Sequence, residues 1–181
     1  GPPLSVVRRE CMTRKTARLK VFRFDPEKDK RHRFQRFDVP VSPGLTVLGA
    51  LIYIQEHLDG SLAFRSACRA GICGSCAMSI NGGYRLACET QIASLSSPVI
   101  VRPLGHLRIV KDLFLDMEPF FEKYRAIKPY LIPGDTPGER ERLQSPEQRA
   151  KLDRLIDCIL CASCHASCPL TVTDEKYLGP A

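Results

Sequence analysis

Polar and apolar side chains alternate loosely through ARLKVFRF at 17–24, and the run ends at Asp25-Pro26, which predicts a strand followed by a turn. RFQRFDVPV at 33–41 is a second extended run, and the charged EKDKRH between the two predicts a hairpin with an exposed loop. The period then changes. In SPGLTVLGALIYIQEHLDG, Val47, Leu48, Leu51, Ile54 and Leu58 fall on one helical face, with Thr46 as N-cap and Gly60 just past the end. MSI and YRLAC flank Gly82-Gly83 as a further hairpin, and PVIVRPL at 98–104 supplies another strand. Strands and one crossing helix within about 100 residues predict an α+β layer arrangement.

Beyond residue 105 the pattern turns helical. Val110, Leu113, Phe114, Met117, Phe121 and Tyr124 form a helix-like stripe interrupted at Pro119. KPYLIPGDTPGERERLQS then reads as a loop. Ser145, Pro146 and Gln148 offer an N-cap, a first-position proline and a capping-box glutamine for a last helix. Leu152, Leu155, Ile156 and Ile159 are expected to face inward from that helix, which delivers the chain into Cys158.

Charge and length narrow the picture. Of the net charge of +7, all is carried by residues 1–40, with 12 Lys/Arg against 5 Asp/Glu. Such a segment suits nucleic acid, an acidic protein or anionic lipid headgroups, or is simply a solvated strand pair; no basic recognition helix or RNA-binding aromatic motif accompanies it. The longest apolar run, VLGALIYI, is far shorter than the ~18 residues of a membrane span. The start, GPPLSVVRRE, lacks a Met and a signal-type apolar core and reads as a processed or engineered end.

The nine cysteines supply the candidate chemistry. Their odd number and clustered spacing favour metal ligation in a reducing compartment over a disulfide framework. Cys68, Cys73, Cys76 and Cys88 form CxxxxCxxC with a distant fourth member, the ligand spacing of a plant-type [2Fe–2S] site. The span must wrap a cluster with its backbone N–H groups turned to sulfur, and Arg69-Ala70-Gly71-Ile72 and Gly74-Ser75 provide small, permissive residues. Zinc competes for four thiolates but usually takes two short CxxC knuckles, and this group has one. Cys158, Cys161, Cys164, Cys168 and Pro169 match the bacterial ferredoxin run, in which the fourth cysteine serves a different cluster. Cys158, Cys161 and Cys164 are therefore expected on a [4Fe–4S] cluster and Cys168 on another. The cubane's fourth ligand and the rest of the second cluster's set are unaccounted for; Cys11 stands alone and reads as a small apolar residue.

Across CRAGICGSCAMSINGG, PLGHLRIVKDLFLDMEPFFEKY, CILCASCHASCP and EKYLGPA, in that order, the chain resembles the iron–sulfur subunit of succinate dehydrogenase and fumarate reductase. The resemblance implies a β-grasp, plant-ferredoxin-like domain (1–105), a connecting helix and loop (106–145), and the start of an all-helical, bacterial-ferredoxin-like domain (146–181). It implies electron passage from a flavoprotein partner through [2Fe–2S], [4Fe–4S] and [3Fe–4S] centres, with Cys168 on the last, to quinone in membrane anchor subunits. Succinate:quinone oxidoreductase is the expected complex. A fumarate reductase, another flavoenzyme's redox subunit and a zinc-stabilised basic module are the alternatives. The chain is expected to turn over no substrate alone, to bind no nucleic acid, and to sit peripherally on the matrix side of the inner mitochondrial membrane or the cytoplasmic side of a bacterial one. The family's further cysteines and quinone-site histidine lie beyond the region matched, and the Trp often found after the Cys-Pro pair is replaced by Leu170–Thr173. Truncation or a second chain carrying the remaining ligands is expected. His32, His57 and His106 read as surface or packing residues, while His165, between Cys164 and Cys168, is placed to tune a cluster through its charge.

Overall fold

The computed structural model describes residues 16–132, 141, 143–174 and 176–180, with Ile156 described by its backbone alone. Cys11 and much of the 128–145 loop, namely 133–140 and 142, lie outside the described residues.

Strands β1 (Thr16–Arg23) and β2 (Arg33–Pro40) form the expected hairpin, in full antiparallel register from Thr16↔Pro40 to Arg23↔Arg33. Helix α1 (Val47–His57) begins where Thr46 Oγ1 accepts from the Gly49 N–H at 3.1 Å, and it buries Val47, Leu48, Ala50, Leu51 and Ile54. Strands β3 (Ala77–Ile80) and β4 (Gly83–Leu86) follow, and their turn uses Asn81 and Gly82, both with positive φ. The turn is therefore shifted one residue from the Gly82-Gly83 pair, because Gly83 already pairs with Ile80. Strand β5 (Val99–Arg102) lies parallel to β1 and antiparallel to β3, giving the order β2-β1-β5-β3-β4. This mixed sheet with α1 across one face is a β-grasp. Leu19, Val21, Val39, Leu51, Ile54 and Val101, each at most 1% exposed, form its centre. Burying each such side chain is worth roughly 1.5–3 kcal/mol.

The 109–127 stripe is not one helix. Strands β6 (Ile109–Lys111) and β7 (Phe114–Leu115) form a small antiparallel pair turned at Asp112, which has φ 49°, and helix α2 (Glu118–Ala126) starts only around Pro119. The proline that seemed an interruption is a helix start, where its missing N–H costs nothing. Asp112 explains the tight turn. It is 2% exposed, its Oδ1 accepts from Arg23 Nε at 3.0 Å and Phe24 N at 2.9 Å, and its Oδ2 accepts from Ala63 N at 3.0 Å. Arg23 also donates to Asp59 (2.6 Å), Gln35 (2.8 Å) and Ser61 (2.7 Å). One buried guanidinium thus ties β1, the exit of α1 and the β6–β7 turn together, just upstream of Cys68.

Helix α3 (Pro146–Ala150) starts with the predicted capping box but stops after five residues. A 3₁₀ turn at Leu155–Asp157 follows Arg154, which has φ 70°. Leu152 and Leu155 are exposed at 40% and 71%, Ile159 is half-buried, and the side chain of Ile156 lies outside the described residues. The expected inward apolar face is not packed here, so its pattern alone does not extend the helix. Short helices α4 (Ser163–Ser167) and α5 (Leu170–Thr173) complete the order.

Candidate functional site

The loop between α1 and β3 carries Cys68, Cys73 and Cys76, and the turn after β4 carries Cys88. Arg69, Gly71 and Gly74, with φ of 57°, 72° and 69°, coil the loop so that its N–H groups point at sulfur. Cys68 Sγ accepts from the N–H groups of Ala70, Ile72 and Cys73 at 3.4, 3.4 and 3.3 Å. Cys73 Sγ accepts from Cys68 N at 3.4 Å, and Cys88 Sγ from Gly71 N at 3.3 Å. The Ala87 N–H bonds the Cys76 carbonyl at 3.1 Å, bringing the fourth cysteine to the same end of the hairpin.

This donor set favours sulfur in its charged form. The Ser75 hydroxyl, then the Cys68 and Ser75 backbone N–H groups, bring the Cys73 thiol down to about 6. Burial pushes Cys76 up to about 11. Cys73 is thus prepared as a thiolate, whereas buried Cys76 requires a cation to become one. A loop that spends five N–H donors on sulfur fits the thiolates of an iron–sulfur cluster, whose sulfurs take such bonds. The residues present fit a [2Fe–2S] group held by Cys68, Cys73, Cys76 and Cys88.

Arg65 lies 5.8 Å over the Phe114 ring, close enough to Cys73 for their charges to interact. Glu89 occupies the space beside Gly71, where a Cβ would meet its carboxylate. Sequence reasoning treated Ser75 only as small and passed over Arg65, Glu89 and the Arg23–Asp112 pair. Their partners are far away in sequence or point back at backbone, so no local pattern announces them.

The second group is less complete. Leu160 and Ala162, with φ of 53° and 60°, form the turns between Cys158, Cys161 and Cys164, while Cys168 caps the end of α4 just before α5. Cys158 and Cys164 are exposed, and Cys161 Sγ meets Ser163 Oγ at 3.4 Å. All eight cysteines among the described residues are free thiols. A cavity of about 290 Å³ lined by Phe120, Tyr124, Leu155, Cys158 and Leu160 adjoins the group. The residues are compatible with three corners of a cubane plus a separate ligand at Cys168. His165 is 5% exposed, edge-on to Phe120 at 5.6 Å, and its Nδ1 has no partner among the described residues. Burial, then nearby Lys123 and His106, lower its imidazole below the usual value, which favours the neutral ring over the charge expected of it. His57 packs on Tyr53 and His32 on Phe22.

The two groups meet at Gly74. A Cβ there would lie 2.7 Å from the Ile159 carbonyl oxygen, 2.8 Å from Cys161 Cβ and 2.9 Å from Cys161 Cα. Leu104, Leu115, Met117, Ala162 and Ala166 form a second core cluster that holds α4 against the sheet domain.

A β-grasp carrying a plant-type cysteine loop, abutting a bacterial-type cysteine run, defines an iron–sulfur protein. The 2Fe-2S iron-sulfur cluster binding domain family matches residues 18–122. The succinate dehydrogenase iron-sulfur subunit of Coxiella burnetii is 46% identical over 165 residues, covering 89% of this chain and 69% of that one. A solved structure of the Mycobacterium smegmatis Sdh1 complex in the apo form superposes with a TM-score of 0.80 at 31% identity, over 92% of this chain and 71% of that one. The chain belongs to the family of succinate dehydrogenase iron–sulfur subunits.

Proposed function

We propose that the chain is the electron-transfer subunit of a succinate:quinone oxidoreductase, passing electrons from a flavoprotein towards quinone in a membrane anchor. The observation that carries this reading is the contact at Gly74, where the absence of a side chain lets the first cysteine loop rest on Ile159 and Cys161. Cys68, Cys73, Cys76 and Cys88 hold the first cluster, Cys158, Cys161 and Cys164 the second, and Cys168 one corner of a [3Fe–4S] centre. When bound, these clusters supply one-electron chemistry. The chain's residues do the rest. Backbone N–H groups of 68–73 stabilise thiolate sulfur, Ser75 holds Cys73 ready, and Gly74 shortens the step to Cys161.

The chain performs no dicarboxylate chemistry; that belongs to the flavoprotein. No described helix is long and apolar enough to cross a membrane; attachment through partner subunits, on the matrix or cytoplasmic side, follows from the reading of the chain as one subunit of this complex. Ligands beyond Cys158, Cys161, Cys164 and Cys168 come from a further segment or a second chain.

The test is an iron and acid-labile sulfide count on the purified complex, with succinate added under anaerobic conditions. Stoichiometric iron and sulfide, and bleaching of the cluster absorbance by succinate, support the proposal. Zinc in place of iron, or clusters that dithionite reduces but succinate does not, would refute it.

A further inference from the structure

The relay leaves unused a cluster of cations on the sheet face turned away from α1. Side chains alternate along a strand, so with Leu19, Val21, Phe37, Val39, Val99 and Val101 buried on the α1 side, Arg18, Lys20, Arg36, Asp38 and Arg102 share the opposite face with Phe22, Phe34 and Ile100. Lys20 stands directly opposite Arg36, a like-charge pair that weakens a sheet unless something offsets it. Lys20 Nζ is 4.9 Å and Arg102 Cζ 5.3 Å from the centre of the Phe34 ring. Arg18, Arg36 and Arg102 are exposed. Among the described residues, none of the four cations has a carboxylate within ion-pair distance, although Asp38 faces Arg18 in the register.

We propose that this face docks a carboxylate-rich patch of a neighbouring protein subunit. The proposal rests on the reading of the chain as one subunit of a larger complex. Three of the four cations are arginines, whose planar forks pair carboxylates in bidentate fashion. Carboxylates placed between Lys20 and Arg36 would convert a mutual repulsion into two attractions. Residues 1–15 carry four Lys/Arg against one Glu, so their charge has the wrong sign to neutralise the patch. A lipid surface fits less well, because membrane-binding faces present projecting apolar groups. Here Phe22, on the same face, is 5% exposed, Phe34 and Ile100 are half-buried, and the Phe34 ring lies beneath cations. The same covering removes the bare ring on which a nucleic-acid base would stack. The patch spans β2, β1 and β5 at the β2 side of the sheet, with β3 between it and β4.

Zero-length carbodiimide cross-linking of the assembled complex, read by mass spectrometry, tests this without altering the chain. The expected product joins Lys20 to an Asp or Glu of another subunit. The variant R18E/R36E should weaken subunit association about tenfold or more and lower the salt concentration at which the complex separates. K28Q/R31Q, which removes two cations from the β1–β2 loop, should change it little. Lys20 linked only within its own chain, equal weakening by both variants, or R18E/R36E losing binding to phosphatidylglycerol vesicles while subunit association is unchanged would each overturn the proposal. The cluster content and succinate-driven bleaching of R18E/R36E are read in parallel. Their retention separates failure of this docking surface from failure of the relay.

Discussion

Cys68 to Cys88 lie in a loop that is supported from behind, whereas Cys158 to Cys168 lie in a run supported mainly by what it touches. The first loop leaves a five-stranded sheet and is anchored upstream by Arg23, Asp59 and Asp112, and its sulfurs already receive five backbone N–H bonds. The second run follows a helix of five residues with no buried side chain, and two of its four cysteines are exposed. The difference teaches that one cysteine group can be preorganised by the fold behind it, while another is held mainly by the surface it meets. On the proposed reading, the first cysteine group would hold its cluster from its own residues, and the second rests on its contact with the first.

The largest expected break in this comparison is at the ligands. Changing Cys73 to Ala should abolish the [2Fe–2S] electron paramagnetic signal while leaving the β-grasp folded, as measured by spectroscopy and by circular dichroism. Next comes the anchor. Asp112→Ala strands the buried Arg23 charge and should cost about 3–5 kcal/mol in urea unfolding of the sheet domain. An equally drastic change at Leu155, which is 71% exposed, should cost well under that.

Gly74→Ala is smaller in energy but more specific. The left-handed φ of 69° and the close approach of Cys161 together predict a loss of about 1–3 kcal/mol. The magnetic interaction between the two clusters should weaken more than either cluster's content falls. Gly71→Ala, with a similar φ but facing Glu89, should spare that interaction.

Acid sharpens the same contrast. The Ser61 hydroxyl, and then the Arg23 guanidinium, hold Asp59 well below the usual carboxylate range. Its contribution to stability is therefore complete above the unfolded value of about 3.9 and disappears as pH falls towards the folded one. Urea midpoints of the sheet domain should fall below about pH 4, and Asp59→Asn should flatten that dependence. The smallest effect is at Ser145→Ala: removing the capping box costs about 1 kcal/mol locally and should not move the global midpoint, because α3 buries nothing.

What could be read in the sequence was whatever is decided within a few residues. The Thr46 cap, the β1–β2 hairpin and the Ser145 capping box are all local, and the structure contains each of them; the cysteine spacing is local too. The stripe at 109–127 misled because a strand pair and a helix following a turn can imitate one helical period. Asp112, which breaks it, acts through Arg23, 89 positions away. The helix expected before Cys158 ends early because apolar spacing does not extend a helix whose face, at Leu152 and Leu155, stays exposed. The contact of Gly74 with Cys161 was equally out of reach, since only the folded chain brings positions 74 and 161 together.

Spin–lattice relaxation of the [2Fe–2S] signal, measured on the reduced, assembled complex, tests the central claim most directly. If the two cysteine groups hold clusters that touch through Gly74, the signal relaxes markedly faster than that of an isolated plant-type ferredoxin, and Gly74→Ala slows it. A signal that relaxes like the isolated ferredoxin and ignores that substitution would contradict the account.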